Sequence, residues 1–154
     1  DTLLNHYTPD EVETVIAHEL GHHVHRDVLR LMIAGALASL LGLLAVDVIL
    51  RAAVPSLGLT GIADIAGLPL VAFAIAAIST FVGPVLNALS RRWEGGADAF
   101  ALQATGNPAA FASTMVKIHD QNLGVADPHP LAELLFHDHP SGLRRVEAAM
   151  RWRS

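Results

Sequence analysis

The chain has 154 residues and not one cysteine. Disulfide bridges and thiolate metal sites are therefore excluded, and nothing follows about compartment. Charge is scarce as well: Asp, Glu, Lys and Arg make up 16% of the residues, against about 25% in ordinary soluble domains. The balance is net −5, which argues against a nucleic-acid partner. No repeat or low-complexity tract occurs, and strand signals are weak. No signal sequence opens the chain, which starts at Asp1. The expectation is a piece of a longer protein with further segments upstream. What is plentiful is apolar surface, 52% of residues, and histidine, of which there are nine. His18, His22, His23 and His25 crowd into one stretch, AHELGHHVHRD.

Two long runs account for the missing charge. Thr8-Pro9-Asp10-Glu11 reads as a helix start: Thr8 at the N-cap, Pro9 at the first helical position and Glu11 closing a capping box. A helical pattern runs from there to Asp27. Residues 31–46 then carry no charge, and the apolar run continues to about Val54. Asp47 and Arg51, four apart, pair at its far end, and Pro55 to Gly58 break it. Residues 65–90 form a second uncharged run, with Gly83-Pro84 marking a kink. A bilayer needs about 20 mostly apolar residues per helix, so transmembrane segments are expected at about 28–54 and 65–90. Together they make a hairpin. Its open end carries Arg26, Arg30, Arg91 and Arg92, which places that end in the cytoplasm by the positive-inside rule. Further helices follow: one continues the second span to Ala104, one starts at Asn107-Pro108, and a basic amphipathic one closes the chain from about Ser141. Asp127-Pro128-His129-Pro130 and His137-Asp138-His139-Pro140 read as rigid loops.

The chemistry begins with His18-Glu19-Leu20-Gly21-His22, an HExxH pattern. On a helix, positions four apart share a face about 6 Å apart along the axis. Two imidazoles so placed converge on one zinc, and Glu19 on the neighbouring flank acts as base on the attacking water. The bland alternative is a histidine-rich surface turn. A catalytic zinc needs a third protein ligand and an open position. His25 lies about 10 Å along the axis from His18 and cannot share the ion. His23 and His25 are taken as interfacial surface residues. No glutamate separates Glu19 from Glu94. The hairpin returns the chain to the side it left, so it brings Glu94 beside the imidazoles. Asp98, four residues on, suits a carboxylate that holds a ligand imidazole by its other nitrogen. Gly95-Gly96 cost about 1 kcal/mol each in a helix, which suggests close backbone packing there.

HELGH, two membrane-length runs, SRRWEGGADAFA and then DPHPLAELLFHDHPSGLRRVEAAMRW together resemble the type I CAAX prenyl proteases, integral-membrane zinc metallopeptidases. The resemblance spans nearly the whole chain. HExxH alone is moderately specific; with ExxxD after an apolar hairpin, a DPHP loop and an HP-x4-R ending it is highly specific. HtpX-like proteases share the first two motifs. The resemblance implies a mainly α, zincin-like catalytic domain over residues 1–154, with the transmembrane hairpin inserted between the HExxH and ExxxD helices. It implies one Zn2+ per chain on His18, His22 and Glu94, Glu19 as general base, and Asp98 beside the ligands. It further implies that His139 stabilises the oxyanion, with His137 as the fallback, and that Arg145 pairs with carboxylates near the metal. Family members carry further spans before HExxH and often aromatics inside ExxxD, where this chain has Gly95-Gly96.

The expected function is a multi-pass membrane endopeptidase with its site on the cytoplasmic side. Its expected partners are peptide or membrane-protein substrates and membrane lipid. An HtpX-like quality-control protease is the alternative within that class. A non-catalytic membrane metal-binding protein is the alternative outside it, and Glu19 in register weighs against it. A scaffold hairpin with incidental histidines would bind no stoichiometric metal.

Overall fold

The computed structural model describes residues 5–152. Among these residues six α-helices are delimited from Pro9 on: α1 Pro9–His25, α2 Asp27–Leu57, α3 Leu68–Thr105, α4 Pro108–Gln121, α5 Pro130–Phe136 and α6 Gly142–Arg151. A 3-10 turn, Ile65–Gly67, precedes α3. No strand occurs among the described residues.

Several ends follow the sequence. Thr8 caps α1 in a full capping box, accepting from the Glu11 amide while the Glu11 carboxylate accepts from the Thr8 amide at 2.8 Å. Asn107 caps α4, with Pro108 behind it. Three ends depart from expectation. The first helix does not reach Asp27. It stops at His25, and Arg26 takes the left-handed conformation at φ 57°, with its amide bonded back to the His22 and His23 carbonyls. Pro55 does not break α2, which runs on to Leu57 and ends where Gly58 adopts φ 65°. There the Leu59 amide bonds to the Val54 carbonyl. A proline one turn from a helix end costs little, and a glycine beyond it closes the helix in a Schellman turn. Third, the tail between the two expected loops is itself a helix, α5. His129 caps it, its Nδ1 accepting from the Leu131 amide at 3.2 Å. α3 is continuous through Pro84.

The chain forms two compact units. One comprises residues up to Arg30 and from Asn87 on; the other is Leu31–Leu86. The core of the first gathers Ala17 of α1, Ala101 and Leu102 of α3, Phe111 and Met115 of α4, and Ala149 of α6. The close approach is at Gly21: a Cβ there would stand 3.0 Å from the Ala97 Cα. Gly95, by contrast, has open space around it, and Gly96 meets only the His25 ring at ordinary contact distance. The expectation of tight packing at Gly95-Gly96 is thus corrected; α1 is the helix whose glycine admits its neighbour. His25 is also no simple surface residue, since its ring packs edge-on against Phe100, centroids 6.1 Å apart. His23 is exposed.

The second unit is the apolar hairpin. α2, and the 3-10 turn with α3, are each long and apolar enough to cross a membrane. Only 6% and 11% of their most apolar windows are buried. A core helix of a soluble protein would be mostly covered, so these faces have the character of surfaces made for hydrocarbon. Within the hairpin, Val46 and Ala74 are buried, and Asp47 pairs with Arg51 at 2.7 Å.

Candidate metal centre

Helix α1 presents His18 and His22 one turn apart on one face, and α3 presents Glu94 opposite them. The two imidazole Nε2 atoms are 3.1 Å apart. Glu94 Oε1 is 3.3 Å from His22 Nε2, and Oε2 is 3.5 Å from His18 Nε2. One donor atom from each of the three residues lies within 4.8 Å of the others. A tetrahedral zinc with bonds of about 2.0–2.1 Å sets its ligand atoms about 3.4 Å apart, so these separations fit that ion. A second observation agrees. Glu94 Oε2 is buried without a hydrogen-bond partner, and a buried unsatisfied polar atom costs about 1–3 kcal/mol. A cation among these donors would satisfy it.

Around this focus the carboxylates outnumber the fixed cations. Asp98 lies one turn beyond Glu94 on α3 and is buried. Its Oδ1 is 2.9 Å from His18 Nδ1, off the line of a hydrogen bond, so the contact is chiefly charge to charge. Arg145 of α6 grips the same carboxylate with two nitrogens, its Nε donating at 2.8 Å. Burial alone would lower the pKa of His18, but Asp98 and Glu94 push it up to about 9. Burial would raise the Glu94 carboxyl, but His139 and His18 hold it well below the usual carboxylate range. Asp98 is likewise lowered, against its burial, by His18 and Arg145.

His139 reaches the focus from the loop between α5 and α6, its Nε2 3.3 Å from Glu94 Oε1. That contact raises its pKa to about 9 against partial burial, with Asp138 adding to the rise. His137 lines the same cavity, but its backbone carbonyl is what the fold uses: it accepts from Arg91. Glu19 is exposed and lines that cavity too, beside His18 and Glu94. Of the seven residues singled out in the sequence, His18, Glu19, Glu94, His139 and Arg145 line that cavity, while His22 and Asp98 each contact His18 from outside the lining.

Two arrangements escaped the sequence reading. Asp27 is buried, with Oδ2 3.1 Å from His22 Nδ1 and Oδ1 accepting from Arg30 at 3.1 Å. It faces the Nδ1 of His22 as Asp98 faces that of His18, but here with the geometry of a hydrogen bond. The left-handed turn at Arg26 brings it there, and HExxH followed five residues later by an aspartate was the available signal. Arg91, read as a positive-inside charge, donates to the carbonyls of Glu133 and His137 at the end of α5. Asn87, one turn earlier on α3, donates to Leu135 O at 2.9 Å. Orphan carbonyls at a helix end need such partners. The helix that carries Glu94 therefore also anchors the start of the loop that carries His139.

With this geometry in place, the relatives are informative. The family model described as Peptidase family M48 matches residues 1–153. An uncharacterized metalloprotease of Bacillus subtilis, YhfN, is 31% identical over 153 residues, covering 97% of this chain and 36% of that protein. Protease HtpX of Legionella pneumophila (strain Lens) is 31% identical over 145 residues, 90% of this chain and 50% of that one. Ste24p of S. mikatae shares the fold, with a TM-score of 0.79 at 23% identity over 99% of this chain and 39% of that chain. This chain therefore spans between about a third and a half of the length of these relatives. They set it in the class of metalloproteases. It belongs to peptidase family M48.

Proposed function

We propose that the 154 residues act as one catalytic domain of an integral-membrane zinc endopeptidase. One observation carries the proposal: His18, His22 and Glu94 converge on one point, and Glu19 lines the same cavity. Those three residues would hold one zinc, which supplies a Lewis acid that polarises the scissile carbonyl and acidifies water. Glu19 takes the proton of the attacking water and returns it to the leaving amine. His139 donates through its ring to the oxygen that gains charge in the transition state. Asp27 orients the His22 ring through its Nδ1, Asp98 sets a negative charge against the His18 ring, and Arg145 fixes Asp98.

The substrates in this reading are peptides or membrane proteins held at the bilayer, with lipid around the hairpin. The arginines at its open end favour a cytoplasmic site. Within the family, the DPHP loop and the HP-x4-R ending favour cleavage of the CAAX prenyl protease type. An HtpX-like action on unmodified membrane proteins is the second reading, favoured by the 31% identity to Protease HtpX.

Zinc per chain and peptide cleavage, measured on membrane-purified wild type, Glu94→Ala and Glu19→Gln, test the proposal. Wild type and Glu19→Gln should hold about one zinc, Glu94→Ala markedly less, and only wild type should cleave. Full zinc retention by Glu94→Ala would remove Glu94 from the ligand set. A farnesylated peptide and its unmodified twin, offered in parallel, separate the two substrate readings.

A further inference from the structure

His119 near the end of α4 has no part in the chemistry above, yet it lines the same cavity as Glu19, Glu94 and His139. Its Nε2 is buried and has no hydrogen-bond partner. The ring is boxed in by two glycines from different elements. A Cβ at Gly124 would stand 2.6 Å from the ring, and one at Gly142 would stand 2.9 Å from it. Both glycines line the cavity as well. The chain thus gives up two side chains to seat one imidazole, then leaves its buried Nε2 unsatisfied. A core histidine would find a partner for that atom.

The cavity has a volume of about 480 Å³, the size of a small-ligand or side-chain pocket. Besides the polar cluster it is walled by Val15, Met115, Ile118, Val125 and Phe136. Among the described residues the other buried unpaired side-chain atoms belong to His18 and Glu94 of the metal cluster, which leaves the His119 nitrogen as the one outside it. This combination suits an extended peptide: the apolar walls take a side chain and the His119 nitrogen takes one polar main-chain atom.

We propose that His119 is a substrate-binding residue. Its Nε2 hydrogen-bonds an oxygen of the bound peptide, either an internal carbonyl or the terminal carboxylate, while an apolar side chain close to the cleaved bond fills the chamber. This rests on the protease reading and adds the substrate contact to it.

The test uses full-length protein in three forms: wild type, His119→Leu and His119→Gln. Each is assayed with an apolar peptide carrying a free C-terminus and with its C-terminally amidated twin. Binding is read separately by fluorescence anisotropy on the same three forms in a Glu19→Gln background, and zinc content and melting temperature are recorded for all. The Leu variant should bind about tenfold more weakly, as expected for one lost hydrogen bond, with the loss concentrated in KM. The Gln variant should recover part of it, because its amide also offers a donor. If the partner is the terminal carboxylate, the effect shrinks with the amidated peptide; if it is an internal carbonyl, both peptides respond alike. Unchanged KM and affinity in the Leu variant, while wild type cleaves, overturn the proposal and leave the protease reading standing. Loss of zinc or of cooperative melting in both variants also overturns it, assigning the ring to packing. A zinc-loaded wild type that neither binds nor cleaves any peptide removes the protease reading and this proposal together.

Discussion

A metal-binding imidazole has two nitrogens, and what holds the second decides how well the first is aimed. Asp98 stands at one Nδ1 and Asp27 at the other. The HExxH pair was legible because a helix writes i and i+4 on one face, whatever surrounds it. Glu94 was legible because a hairpin must return the chain and no glutamate lies between Glu19 and Glu94. Asp27 was not legible: it reads as the acidic first turn of the next helix, and only the left-handed Arg26 turns it back toward His22. Asp27→Asn should keep the fold, since the amide can still accept from Arg30, but lose the charge on His22. Such losses beside a metal typically weaken affinity 10–100-fold. Competition with a fluorescent chelator reads this directly, and an unchanged zinc affinity would reduce Asp27 to a helix cap.

Between elements, the decisive contact is α1 on α3. Ala17, Ala97 and Ala101 are buried beside Gly21. These small side chains let the two helix backbones approach until His18 and His22 meet Glu94. Glycine spacing suggested such an approach but assigned it to Gly95-Gly96, because a glycine pair stands out in a sequence and a single glycine inside HELGH passes as part of the motif. The structure separates the two. Gly21→Ala puts a Cβ 3.0 Å from the Ala97 Cα and 3.2 Å from the Phe100 Cβ, and neither is a flexible tip. Overpacking of this kind costs about 1–3 kcal/mol, and here it also pries the histidines from Glu94. Gly95→Ala meets open space and should stabilise α3 by up to about 1 kcal/mol. Chemical denaturation of the two variants, with zinc content alongside, should therefore give opposite signs. A neutral Gly21→Ala would mean the helices can part without loss.

At the scale of the whole molecule, the chain leaves the site-bearing unit at Arg30 and re-enters it at Asn87. The two long apolar helices were legible from charge alone, because residues 31–46 and 65–90 carry none. The packing of the unit they interrupt was not, because its cross-links join residues far apart in sequence. Glu11 is the clearest case. Buried on α1, it accepts from Ser113 at 2.6 Å and from Lys117 at 2.7 Å, both on α4, as well as from the Thr8 amide. Sequence showed only the capping box; the link across about a hundred positions lies beyond any local pattern. Burial alone would raise this carboxyl, but the Lys117, Ser113 and Thr8 bonds lower it to about 2. A carboxyl lowered on folding stabilises the fold above its unfolded pKa, and that contribution fades as pH falls through the folded value. The contribution of Glu11 should thus be whole above about pH 4.5 and lost between there and about pH 2. Glu11→Gln should lower stability near neutral pH and flatten the acid limb of the stability profile across that window. The comparison is made by denaturant unfolding of detergent-solubilised protein at stepped pH. An acid limb that is equally steep in the variant would assign acid sensitivity to other carboxylates and leave Glu11 as a helix cap alone.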